Sequence, residues 1–401
     1  MNPFRPAALT LALAMVFAIL SAGCQRTDDA ATPAAASSPG APVQAASTTE
    51  TTDAGEVRVR VVASGLEHPW AMAFLPEGDI LVSERAGRLR LVGKDGSVSA
   101  ALAGVPAVFA EGQGGLLDLA LSRDFANDRR VYLSYAEPGE GGTAGTAVAY
   151  GTLGPAGLSD VKVIYRQEPK LVGPNHFGSR LAFDDTGHLF IGQGERNDRP
   201  TAQRLDMLQG KLVRLDREGN VPRDNPFLGQ AGARPEIWSY GHRNMQGMAF
   251  DPRTGTLWQS EHGPRGGDEL NLPQPGRNYG WPVITHGINY SGLRIPEAEG
   301  SAKAGMEQPH HVWEKSPGLS GMAFYTGRPG SPWNDSLFLG AMADRNLIRL
   351  GLDGDKVASE ERLLEDLGER IRDVRVGLDD AIYVLTDERD GKLVRIEPPA
   401  R

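Results

Sequence analysis

The sequence predicts an all-β chain, a six-bladed β-propeller of four-stranded antiparallel blades, and three observations predict it. One unit recurs six times between Ala71 and Val384: a short apolar segment, a turn containing Asp, Pro or Gly, and a second apolar segment. Within these units apolar and polar residues alternate, β-branched and aromatic residues are enriched, and helical periodicity is scarce. Glycine (50) and proline (28) are abundant in the 401 residues, which suits many tight turns better than long helices.

Taken in order, Ala71-Met72-Ala73-Phe74 turns through Pro76-Glu77-Gly78 into Ile80-Leu81-Val82. Leu117–Leu121 turns at Asp124-Phe125 into Val131-Tyr132-Leu133. Arg180–Phe183 leads to Leu189-Phe190-Ile191, and Gly247–Phe250 leads to Leu257-Trp258. Gly321–Phe324 leads to Leu337-Phe338-Leu339, and Asp373–Val376 leads to Ile382-Tyr383-Val384. Third strands follow at Arg88–Val92, Lys211–Leu215 and Lys392–Ile396. A sandwich would not regenerate one small-apolar motif six times. Radial blades leave the loop ends to carry function, so sites are expected just before inner strands and in the longer excursions.

Residues 1–23 read as an export signal: Arg5, an apolar run from Ala7 to Leu20, then Ser21, Ala22 and Gly23. Leu20-Ser21-Ala22-Gly23-Cys24 resembles the lipobox of bacterial lipoproteins, which implies acylation of Cys24 and a periplasmic, outer-membrane-anchored protein that meets the membrane only through its lipid. Residues 24–55 hold no aromatic residue and cannot offset their ordering entropy by burial, so they are expected to form a flexible linker to a catalytic domain at 56–401. With Cys24 the sole cysteine, disulfides, zinc–thiolate clusters and cysteine nucleophiles are excluded. The charge balance of 42 Lys+Arg against 51 Asp+Glu, net −9, argues against a nucleic-acid-binding face.

Four loop clusters are unusually polar. Glu111-Gly112-Gln113-Gly114-Gly115 allows close backbone approach to a ligand, with Gln113 offering an amide. Pro174–Arg180 contains His176, which can take a proton near neutral pH and which the nearby Arg180 guanidinium can bias toward its neutral form. Ser239–Gly247 places Arg243 and Asn244 before an inner strand, where the arginine can clamp a carboxylate or stabilise charge developing on an oxygen. Ser260–Asn271 offers hard oxygen ligands that suit Ca²⁺ better than zinc. Arg370 and Arg372, two apart on a strand, face one side and ask for an anion carrying several carboxylates.

At these clusters the sequence resembles the soluble pyrroloquinoline-quinone (PQQ)-dependent aldose sugar dehydrogenases, relatives of soluble glucose dehydrogenase. The motifs His68-Pro69-Trp70-Ala71, Gly114–Leu117, Asn175–Arg180, Gly241–Asn244, Glu261–Asn271 and Arg370–Asp373 fall in that family's order. The resemblance implies a six-bladed propeller that oxidises the C1 hydroxyl of aldoses to lactones, with PQQ and Ca²⁺ as cofactors and an electron acceptor it does not identify. It implies that His176 is the general base for hydride transfer to PQQ C5. It further implies that Arg243 and Asn244 contact the quinone, that Arg370 and Arg372 hold its carboxylates, and that Trp313 forms an aromatic wall. Gly263 and Pro264 match carbonyl ligands of one Ca²⁺, while Asp268, Glu269 and Tyr279 match a second Ca²⁺ site. Gln113 and Glu195 match substrate-side positions.

Three departures stand out. A cofactor-contacting lysine is replaced near Ala343, unless Arg345 or Lys315 substitutes. Glu195 stands where glucose dehydrogenase has an aspartate beside the histidine, and Asn175 replaces a second aspartate, so glucose selectivity is not inherited. Two other classes share the architecture: a calcium-dependent lactonase, which needs three or four side-chain oxygen ligands at the axis, and a non-catalytic sugar- or partner-binding propeller.

Overall fold

The computed structural model describes residues 47–400. The export signal, Cys24 and the linker as far as residue 46 lie outside the described residues. Six antiparallel sheets follow one another along the chain. Blade 3 (Gly178–Phe183, Leu189–Gln193, Lys211–Leu215, Ile237–Tyr240), blade 4 (Met245–Phe250, Leu257–Glu261, Asp268–Asn271, His311–Trp313) and blade 5 (Leu319–Phe324, Ser336–Ala341, Asn346–Asp353, Lys356–Leu363) each have four strands.

The other three vary the pattern. Blade 1 has Pro69–Phe74, Ile80–Glu84 and Arg88–Val92, and its outer edge is completed only by single bridges, Leu89 to Leu102 and Val92 to Val98. The Ala-, Gly- and Pro-rich run after Ser97 explains why no full strand forms there. Blade 2 (Leu116–Leu121, Arg130–Pro138, Thr143–Gly154, Gly157–Arg166) gains the two-residue strand Leu171–Val172. Blade 6 (Ile371–Val376, Ile382–Thr386, Gly391–Glu397) takes its fourth strand, Gly55–Leu66, from the other end of the chain. That pairing closes the ring.

Ser47–Thr52 pairs outside Gly55–Leu66, so residues 47–55, expected in the linker, belong to the sheet of blade 6. The reason is local: Ser-Thr-Thr-Glu-Thr-Thr is too polar for a core but rich in β-branched threonine, and it suits an edge strand. Glu50 also accepts the backbone N–H of Leu364, fastening this edge to the end of blade 5.

The innermost strands pack around the axis, and all six break register near their first residues, as between Gly178 and Leu181 or Ile371 and Asp373. Such bulges re-aim side chains at strand ends. Buried ions cross the axis below them: Arg180 bonds Asp118 at 3.1 Å and Asp373 at 2.8 Å, and Arg375 bonds the same two carboxylates at 3.0 and 3.1 Å. Beyond this network lies an apolar cavity of about 440 Å³, lined by the strand ends Phe74, Phe183, Phe250 and Phe324 and edged by Arg375.

Candidate active site

His176 sits in the loop entering blade 3, with a left-handed backbone (φ 51°) and 7% exposure. Its Nδ1 lies 2.6 Å from Glu195 Oε2, and that oxygen also accepts the Asn197 N–H at 2.6 Å. A carboxylate at Nδ1 holds the proton there and leaves Nε2 as the basic nitrogen. The His176 backbone N–H donates to Gln113 Oε1 at 2.9 Å, joining the blade 2 loop to the histidine. Burial lowers the imidazole's pKa, opposed by Glu195 and assisted by Arg243 and Arg196. Burial alone would raise Glu195, but His176, Arg243 and the Asn197 N–H together bring it below its ordinary value. Arg180 plays no part in this. The bulge turns it to the axis, where its guanidinium serves Asp118 and Asp373.

Arg243 is placed by a carboxylate that the sequence did not mark out. Glu261 Oε2 accepts the Arg243 N–H at 2.6 Å, while Oε1 takes His242 Nδ1 and Asn271 Nδ2, each at 3.0 Å. The Arg243 guanidinium donates to His262 O at 3.0 Å and lies over Trp281. Asn244 Oδ1 accepts Gly178 N–H and Gln246 Nε2, each at 3.1 Å, tying blade 4 to the His176 loop.

Arg370 and Arg372 do converge, and part of the anion they ask for is internal. Arg372 donates to Asp387 Oδ2 and Gln246 Oε1, each at 3.0 Å, and Arg370 reaches the same Asp387 oxygen at 3.8 Å. Burial would raise Asp387, yet Arg372 and Arg85 hold it well below the carboxylate range. Three guanidiniums thus face one carboxylate, leaving unbalanced positive charge in an acidic protein.

Beside them opens a cavity of about 780 Å³ lined by Gln113, His262, Gly263, Pro264, Ala343 and Arg370 among others. Burial pulls the His262 imidazole on its wall down to about 4, so it is neutral there. Lys315 also lines the cavity, its ammonium 3.0 Å from Asp344, whereas Arg345 turns to the carbonyl of Gly368. Of Lys315 and Arg345, therefore, only Lys315 stands at the cavity.

The structure does not bring the expected second calcium trio to one point. Asp268 and Glu269 are neighbours on a strand, so their side chains leave opposite faces. Asp268 accepts the N–H groups of Gly263, Gly318 and Leu319, while Glu269 bonds Asn271 and lies beside Glu261, burial there pushing it up to about 8. The Tyr279 hydroxyl donates to Leu272 O, and its ring stacks on His242. Among the described residues no cluster of three or more Asp, Glu, His or Cys forms a metal site. The Trp313 indole is buried between blades 4 and 5 with its N–H on Glu360 at 2.9 Å, and like His176, Arg243, Asn244 and Arg372 it stands behind the cavity wall rather than on it.

The site suits a planar, polycarboxylate group on three counts. The Nε atoms of Arg243 and Arg372 are buried without a partner. The guanidiniums outnumber their carboxylate. Gly263 and Pro264 are buried at the cavity wall, and among the described residues no hydrogen bond ends on either carbonyl, leaving two adjacent oxygens of the kind a hard cation takes. Glu261, His262 and Gln246 fall inside the polar clusters read from the sequence but were given no role there, and Asp387, directly after the strand Ile382–Thr386, lies outside every motif.

A propeller with a buried His–carboxylate pair joined through Gln113 to a cavity edged by Arg265, Arg370 and Lys315 defines a class, and comparison with known proteins agrees: the chain belongs to the Glucose / Sorbosone dehydrogenase family, whose profile matches residues 66–395. It is 54% identical over 345 residues to the aldose sugar dehydrogenase YliI of Escherichia coli K12, covering 85% of this chain and 93% of that one. Among solved structures, a glucose dehydrogenase superposes with TM-score 0.83 at 63% identity over 84% of this chain and 98% of that one. The PQQ-bound aldose sugar dehydrogenase of Streptomyces coelicolor superposes with TM-score 0.71 at 30% identity over 85% and 98%.

Proposed function

We propose that this chain oxidises the C1 hydroxyl of aldose sugars to lactones with PQQ and Ca²⁺ bound in the large cavity. The observation that carries the reading is the buried His176–Glu195 pair, joined through Gln113 to a cavity edged by Arg370 and Lys315. Bound PQQ supplies the two-electron acceptor for the hydride from C1, and Ca²⁺ polarises it. Arg370, Arg372 and Lys315 would hold its carboxylates, Arg243 and Asn244 would meet its carbonyls, and Gly263 and Pro264 would give carbonyl oxygens to the cation.

The chain's own groups do the rest. His176 Nε2 takes the proton from the C1 hydroxyl, Glu195 stabilises the imidazolium as it forms, and Arg243 stabilises negative charge developing on oxygen. Export and a lipid at Cys24 would put this chemistry at the periplasmic face of the outer membrane.

A lactonase is less favoured because the axial carboxylates Asp118 and Asp373 are already bonded to Arg180 and Arg375. The test adds PQQ and Ca²⁺ to purified apoprotein and follows reduction of an artificial dye with an aldose. Saturable reduction that needs both additions is expected. No reduction with any aldose, or lactone hydrolysis without quinone, would overturn the reading.

A further inference from the structure

Arg196 follows Glu195 directly and has no role in the chemistry above. It is 2% exposed and has a left-handed backbone (φ 59°). Among the described residues its guanidinium is held by carbonyls and a ring alone. Nη1 donates to Asn175 O at 2.5 Å, and Nη2 donates to Gly173 O at 2.5 Å and to Leu171 O at 3.5 Å. The guanidinium carbon sits 3.6 Å from the centre of the Phe177 ring. One side chain therefore grips the segment that delivers His176 from both sides. Burying a cation with no carboxylate in hydrogen-bond contact is expensive, and burial, opposed by the nearby charge of Glu195, brings this arginine down to about 10.

The cost points to what is gained. His176 holds a left-handed backbone, which is strained for a residue with a Cβ and persists only when its surroundings over-determine it. The loop's other ties are Gln113 N–H on Pro174 O, His176 N–H on Gln113 Oε1, Arg196 N–H on His176 O, the Thr146 hydroxyl on Phe177 O, and the short pairing of Leu171–Val172 with Thr143 and Ala144, so that among the described residues Arg196 alone holds the carbonyls of Gly173 and Asn175. A planar fork reaches separated carbonyls with donors on different nitrogens, whereas a lysine ammonium must gather its acceptors round one nitrogen.

We propose that Arg196 is a positioning residue, a clasp that fixes the backbone from Leu171 to Asn175 so that His176 keeps its bond to Glu195 and its free nitrogen faces the substrate. The functional part rests on the reading of His176 as the base; the clasp itself does not. The charged groups that act on the imidazole are Glu195, Arg243 and Arg196. Loss of the Arg196 charge therefore raises its titration point, and a lysine there preserves it.

The experiment compares wild type with Arg196→Met and Arg196→Lys. Hydrogen exchange of residues 171–176 and NMR titration of the His176 ring are measured in apoprotein; kcat and KM are then measured with PQQ and Ca²⁺ added. Both variants are expected to exchange these loop amides at least about tenfold faster while blade-core amides stay protected. The methionine variant raises the histidine's titration point and the lysine variant does not. In both, kcat falls by about tenfold to a hundredfold and KM changes little.

A hollow of about 260 Å³ flanks the clasp beside Asn197 and Asp198, and guanidinium ion added at sub-denaturing concentration should partly restore kcat to Arg196→Met. Loop amides as protected in the variants as in wild type would overturn the clasp, and Arg196→Lys alone decides this if the methionine variant fails to fold. If the dehydrogenase reading fails instead, the exchange difference remains and only the kinetic effect is lost.

Discussion

A base in a buried site must be neutral before substrate arrives, and at His176 burial, Arg243 and Arg196 all disfavour the imidazolium while Glu195 alone favours it. The net shift is downward, so the neutral form persists to lower pH than for an ordinary histidine of pKa about 6.5. The acid limb of kcat/KM, measured over a pH series, should therefore fall below that value; a limb above it would contradict the account. Glu195→Gln removes the one group that raises the imidazole and also frees its ring, so the limb should move lower still and kcat should drop by about a hundredfold or more. At this scale the sequence was informative where a residue lay in a loop feeding an inner strand. Gln113 and Glu195 both bond His176, one at its backbone N–H and one at its ring, and Arg243 lies nearby. It was uninformative where a side chain's direction depended on strand register: Arg180, expected beside the histidine, is swung to the axis, and Asp268 and Glu269 are split between two faces.

The inner strands are the elements that carry the site, and their shared bulge explains why polar side chains cluster at one end while phenylalanines line the other. The four-membered network of Arg180, Asp118, Asp373 and Arg375 links blades 2, 3 and 6 and separates the polar end from the apolar one. Removing one partner leaves an uncompensated buried charge. Asp373→Asn should thus cost about 3–5 kcal/mol, read as a lower urea midpoint with little change in its slope. A loss under about 1 kcal/mol would mean the network is not a structural element. These strands were legible because the small-apolar motif repeats; the bulges were not, since a register shift leaves no mark on composition. Ser47–Thr52 escaped notice for the opposite reason, its polar composition masking β-branched edge-strand character.

The described residues form a ring closed by one strand, Gly55–Leu66, set between Gly391–Glu397 and Ser47–Thr52. Deleting residues 55–66 would open the ring at blade 6 and expose its edge, so the truncated chain should aggregate or melt more than about 10 °C lower. In a protein of net charge −9, one local cluster gathers three guanidiniums, Arg85, Arg370 and Arg372, about the single carboxylate Asp387. Propeller and family were readable from the sequence because repeats and motif order survive divergence. The closing strand was not, since its partner lies at the other end of the chain. The account turns on His176 as the base at this cavity, and His176→Gln tests it most directly. Titrated with PQQ and Ca²⁺, the variant should bind the quinone as wild type does yet reduce no dye with any aldose. Turnover within about tenfold of wild type would show that another group takes the proton.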